Sequence, residues 1–145
     1  MLPQLKTIVA VNAATVTNGA TASGIIDTMG YDWCTVDVIA TTANAVSNVP
    51  TVVALQEADV TNASSFATIA AFATPALLPN AATAATATLQ NNFKFNVDCR
   101  PRKRFLQAVY SPQTTQTVTV VANLGRGEQA PVTAAKANAM TLLEG

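Results

Sequence analysis

Histidine is absent from all 145 residues. That absence removes Ser-His-Asp and Cys-His nucleophilic catalysis, the commonest general base, and nearly every zinc-hydrolase arrangement. Charge is scarce as well: 11% of the residues are charged, against about 25% in an ordinary globular chain. Eight bases balance eight acids, for a formal net charge of +0, so long-range attraction to a polyanion is weak. Aromatic residues are few: one Trp, two Tyr and five Phe. That limits any stacking platform for bases or sugars. Cysteine occurs only at Cys34 and Cys99, too few ligands for a zinc site. Each lies in a strand-like run on the side expected to be buried, so both read as inert core thiols. A bridge between them needs facing strands, which the sequence leaves open. No apolar run reaches the ~20 residues of a membrane helix. The most apolar region, residues 66–78, is interrupted by Pro75. Residues 1–11 loosely imitate a signal peptide, but their apolar core is too short, and a cytoplasmic origin is expected.

What is present reads as strands. Phe93, Phe95, Val97 and Cys99 alternate with Lys94, Asn96 and Asp98, the period-2 pattern of a strand with one buried face. A basic connector, Arg100-Pro101-Arg102-Lys103-Arg104, leads to two more extended runs, 105–110 and 115–122, separated by Ser111-Pro112-Gln113-Thr114. Strands and polar turns in this order predict a meander, whose apolar face needs a second layer. Upstream, residues 7–17 form a strand ended by Asn18-Gly19, and 23–27, 33–40 and 51–57 follow as further strands. In 33–40, Cys34, Val36, Val38 and Ala40 share one face, and Trp33, Thr35, Asp37 and Ile39 the other. Residues 41–48 read as a loop, and 66–72 as a helical turn or short strand. Residues 73–88 form an Ala/Thr-rich excursion, with a strand-like end at 85–90. Asn123 to Glu128, with Gly125 and Gly127, reads as a glycine turn. The expected fold is an all-β antiparallel sandwich, jelly-roll-like, with extended arms. The divisions are an N-terminal arm 1–6, a sandwich domain 7–130 and a tail 131–145, which carries a short helix or lies extended.

No constellation of residues reads as a catalytic site. Asp27, Asp32 and Asp37 are evenly spaced, but intervening turns leave them as solvated strand-edge charges rather than an acid–base pair. Glu57 and Asp59 share one side of a strand and are weighed as cation ligands against an ordinary acidic loop. Gly125-Arg126-Gly127-Glu128 lacks the spacing of a phosphate loop. Charge is polarised along the chain, acidic up to Phe93 and basic from Lys94 onward. That suits contact between neighbouring copies or pairing inside one domain. The run Arg100, Arg102, Lys103 and Arg104 reads as a solvated turn or a docking point for acidic protein groups; nucleic acid is disfavoured.

Ile26-Asp27-Thr28, Tyr31-Asp32-Trp33, the strand end Leu55-Gln56-Glu57, then Lys103-Arg104-Phe105 and Val109-Tyr110 before a Val-rich strand, together resemble small structural proteins of tailed bacteriophage heads, among them decoration (cement) proteins. The resemblance covers most of residues 20–125. It implies a non-enzymatic virion protein, made in the bacterial cytoplasm and seated on the capsid surface, with no cofactor or metal. Its expected partners are the major capsid protein or another virion protein and copies of itself, a trimer being favoured. Partner contacts are expected at Lys6, Arg100, Arg102, Lys103, Arg104, Arg126 and Glu128. Two other readings stand beside it: a head–tail connector or tail component, and a carbohydrate-binding sandwich module, which requires an exposed aromatic platform.

Overall fold

The computed structural model describes residues 4–43, 50–73 and 90–126. Eight strands occur among them: β1 (Gln4–Val16), β2 (Ala22–Asp27), β3 (Trp33–Ala43), β4 (Val52–Ala58), β5 (Ala67–Thr68), β6 (Gln90–Asp98), β7 (Phe105–Ser111) and β8 (Gln116–Arg126). One sheet runs β1-β8-β3-β6 and the other β2-β7-β4-β5. Every pairing is antiparallel. Strands β1 with β8, β2 with β7, β3 with β6 and β4 with β5 are all neighbours, so the second half of the chain retraces the first. All connections except β4 to β5 cross from one sheet to the other.

The alternation written in the sequence sets which face each strand buries. In β8, Val118, Val120, Ala122 and Leu124 are buried and Thr117, Thr119, Val121 and Asn123 face away. Cys34, Val36, Val38 and Ala40 of β3, with Phe95 and Val97 of β6, complete that sheet's inner face. Ile26, Val53, Leu55, Leu106 and Tyr110 meet them from the other sheet. Tyr110, the largest fully buried side chain, donates its hydroxyl to Gln116 Oε1 at 2.7 Å. Burial pushes the phenol up to about 12, so it remains a donor.

The expected meander does not form. Strands β6 and β8 both pair with β3, while β7 lies in the opposite sheet. The polar turns mark reversals correctly, but a turn does not say which sheet receives the next strand. The connector of residues 99–104 is long enough to cross the ~10 Å between sheets. The glycine turn at Asn123 is also corrected: β8 continues to Arg126, and Gly125 pairs with Leu5 on one side and Trp33 on the other. A Cβ at Gly125 would fall among the indole atoms of Trp33. That glycine makes room for a ring rather than a turn. By contrast, Gly19 has φ +79 in the β1–β2 turn, as its Asn-Gly dipeptide suggests.

Three smaller differences follow from pairing. Residues 4–6 of the expected arm belong to β1, opposite Leu124, Gly125 and Arg126. Residues 41–43, expected in a loop, belong to β3, which runs to Ala43. Residues 66–72 hold both elements weighed for them, the short β5 and a 3₁₀ turn at Ala70–Phe72. Residues 1–3, the rest of that loop (44–48), the excursion at 74–89, Glu128 and the tail 131–145 lie outside the described residues.

Candidate functional site

The strand ends Asp27, Ala58 and Asp98 and the starts of β3 and β7 meet at one end of the sandwich, and the charged side chains gather there. Arg104 donates through Nε and Nη2 to the two carboxylate oxygens of Asp27, at 3.0 and 2.7 Å, and lies over the Phe105 ring at 4.7 Å. Arg102 stands 3.7 Å from Glu57, whose other oxygen accepts the Lys103 backbone N–H; the Lys103 ammonium reaches Asp59 at 3.5 Å. Arg100 grips Asp98 through Nε and Nη2, at 2.9 and 2.8 Å. Along β3 and β6, Lys94 faces Asp37 at 3.7 Å. Lys6 lies over the Tyr31 ring at 5.9 Å, and Arg126 is exposed at the end of β8.

The polarity of the sequence is therefore used inside the fold. Asp27, Asp37, Glu57 and Asp59, all from the acidic half, each meet a base from the basic half. The expected contact residues come together as Arg102, Lys103 and Arg104 beside β4 and β2, and as Arg100 on the neighbouring sheet, each already facing a carboxylate. Asp27, Asp32 and Asp37 are not brought together. Glu57 and Asp59 are both neutralised by cations, and no cluster of potential metal ligands occurs among the described residues. Cys34 and Cys99 are both buried and free. Contact with the Cys99 thiol and burial push the Cys34 thiol well above the ordinary range, which keeps it protonated.

These ion pairs define an acid limit. Hydrogen bonds from Arg104 hold the Asp27 carboxyl below its ordinary 3.8, and those from Arg100 lower Asp98 to about 2. A lowered carboxyl favours the folded state above its unfolded value and loses that contribution as pH falls through the folded one. Melting temperature is expected to stay level from neutral pH to about 4, then to drop toward about 2. Arg104→Gln should flatten part of that drop, by a small amount because the pair is exposed. A wild-type acid profile in Arg104→Gln would show the pair to be inert.

A different feature occupies the outer face of the β1-β8-β3-β6 sheet. Register places Leu5, Gly125, Trp33 and Asp98 in one row, Thr7, Asn123, Thr35 and Asn96 in the next, and Val9, Val121, Asp37 and Lys94 after that. Ile39 follows, beside Thr119 and Asn92. Leu5, Val9, Trp33 and Ile39 are 48%, 55%, 39% and 42% exposed, an unusual set of large apolar side chains on one face. Neutral side-chain hydrogen bonds, Thr7 to Asn123 and Thr35 to Asn96, link the strands between them. At the β3–β6 end of this face lies a groove of about 480 Å³, lined by Asp32, Trp33, Thr35, Asn96, Asp98 and Arg100. Sequence reading placed Trp33, Thr35, Asp37 and Ile39 on a common face but missed the groove, because Asp98 and Arg100 lie more than sixty residues away. The chain matches no protein-family model and no curated protein.

Proposed function

We propose that this chain is a non-enzymatic structural protein of a bacteriophage virion, a capsid decoration protein that braces neighbouring capsid subunits. The observation that carries the reading is the outer sheet face exposing Leu5, Val9 and Ile39 among neutral Thr and Asn side chains. On this strand surface the apolar side chains are spaced by neutral Thr and Asn, and Asp37 and Asp98 are paired with Lys94 and Arg100. Such a surface suits contact with another protein, because little unpaired charge must be desolvated to cover it. The two packed antiparallel sheets, β1-β8-β3-β6 against β2-β7-β4-β5, support reading the sandwich as jelly-roll-like, an architecture used by viral capsid domains. It adds to the resemblance in residues 20–125.

Four strands about 4.8 Å apart and eight residues long present roughly 500 Å², less than the ~800 Å² per partner of a standard interface. One copy would bind weakly. Several copies joined, as in a trimer, would hold by avidity.

The test is co-sedimentation with phage heads stripped of the protein. Val9→Lys with Ile39→Lys should weaken attachment at least about tenfold, since two exposed apolar contacts are replaced by charges. Melting should be nearly unchanged, because both positions are solvent-facing. Attachment indifferent to both changes, or a wild-type chain that ignores heads, overturns the reading. Electron microscopy of labelled particles separates decoration, with many copies over the shell, from a connector, with one ring at a vertex.

A further inference from the structure

We propose that the groove beside Trp33 is a saccharide-binding site that takes a neutral hexopyranose. The groove shares the outer sheet face, and its Thr35 and Asn96, with the capsid reading, but it is tested on the free chain and so holds or fails independently of it. Trp33 is the only tryptophan in the chain, and its indole lies across Gly125, where the missing Cβ gives it a seat on β8. The ring thus leans toward β8 and leaves the space over β6 open, which is the groove. At 39% exposure the indole still presents apolar surface to solvent. The apolar C–H face of a pyranose, electropositive at its hydrogens, complements the electron-rich face of such a ring.

The polar lining supplies both hydrogen-bond senses that sugar hydroxyls need. Asp32 accepts no side-chain hydrogen bond from the described residues, so its carboxylate is available to hydroxyl donors. Its backbone is held on both sides: its N–H donates to the Gly125 carbonyl at 3.0 Å, and its carbonyl accepts from Cys99 N–H at 2.8 Å. Arg100 gives Nε and one Nη2 hydrogen to Asp98, and its remaining guanidinium hydrogens point away from that carboxylate. Asn96 accepts the Thr35 hydroxyl through its carbonyl oxygen at 3.2 Å, leaving its amide hydrogens as donors. About 480 Å³ lies within the ~300–1,000 Å³ of small-molecule sites. Two carboxylates against one guanidinium give the groove a net negative charge, which disfavours uronic acids, phosphates and nucleic acid.

The single tryptophan makes intrinsic fluorescence a direct report on this groove. The full chain is titrated with mono- and disaccharides of glucose, galactose, mannose and N-acetylglucosamine, and with galacturonic acid as the anionic counterpart of galactose. At least one neutral sugar should give a saturable change in emission, and galacturonic acid should bind at least roughly tenfold more weakly than galactose. Asp32→Asn and Arg100→Ala should each weaken binding about tenfold, with the melting temperature kept. Asp37→Asn, on the same sheet face outside the groove, should leave affinity unchanged. Calorimetry on Trp33→Ala should show binding lost and on Trp33→Phe partly kept, which covers a variant whose emission is silent. No saturable change with any neutral sugar, binding that survives both Asp32→Asn and Trp33→Ala, or equal affinity for galacturonic acid overturns the proposal.

Discussion

Truncating Phe95 to alanine is expected to lower the free energy of unfolding by about 3–5 kcal/mol. Phe95 sits on the inner face of β6 at 2% exposure. Its ring meets Phe72 edge-on, with centroids 5.6 Å apart and planes at 81°. Phe72 ends the 3₁₀ turn that follows β5, while Ile69 N–H bonds to the Leu55 carbonyl. Losing Phe95 therefore removes core volume from one sheet and the contact that fastens residues 69–73 of the other. Domains of this size are stable by only about 5–15 kcal/mol, so the change consumes much of the margin. Denaturant unfolding should show a lower midpoint at unchanged slope. Exchange of the Ile69 and Phe72 amides should accelerate more than that of β8. A double-mutant cycle with Phe72→Ala should return a coupling of about 0.5–1.5 kcal/mol. A loss under about 1 kcal/mol would be incompatible with a packed ring at this site.

Gly24→Val is expected to do comparable damage, about 3 kcal/mol or more, through overpacking rather than a cavity. A Cβ on Gly24 would lie 2.7 Å from both the Cβ and the carbonyl oxygen of Ala10. Among the described residues strand β2 pairs only with β7, and its other edge approaches β1, closing one side of the sandwich. Strand β1 is irregular there, with register shifts between Val9 and Val11 and between Val11 and Ala14, and Ala13 at φ 44. That bulging turns β1 toward β2. Even Gly24→Ala must push backbone, not just a flexible side chain. Adding Ala10→Gly should restore only part of the loss, because the Ala10 carbonyl remains in the way. Full recovery, or a neutral Gly24→Ala, would mean that the two sheet edges stand further apart. The unfolding midpoint of the three variants decides between them.

Much of the architecture was legible in residue order. Alternation in Phe93 to Cys99, Cys34 to Ala40 and Val118 to Leu124 identified the strands and their inward faces, because side-chain direction in a strand repeats every second residue whatever lies beside it. Asn18-Gly19 marked its turn for an equally local reason. Gly125 was misread, since a glycine that admits a neighbouring ring looks in sequence like one that admits a turn. The candidate site was legible only in part. Trp33, Thr35 and Ile39 were seen to share a face, but nothing in the order of residues set Asp98 and Arg100 beside Trp33. The basic run stood out in sequence, yet its partners Asp27, Glu57 and Asp59 emerged only when β7 settled between β2 and β4.

Sequence alone thus determined that this chain makes antiparallel strands with one apolar face each, and that its chemistry lacks an imidazole. Tertiary structure alone decided which strands became neighbours, which charges met, and where an indole leaned aside to leave a groove. The reason is that burial pattern is a property of successive residues. Strand order is instead chosen by competition among many similar apolar faces, and only the packed whole resolves it.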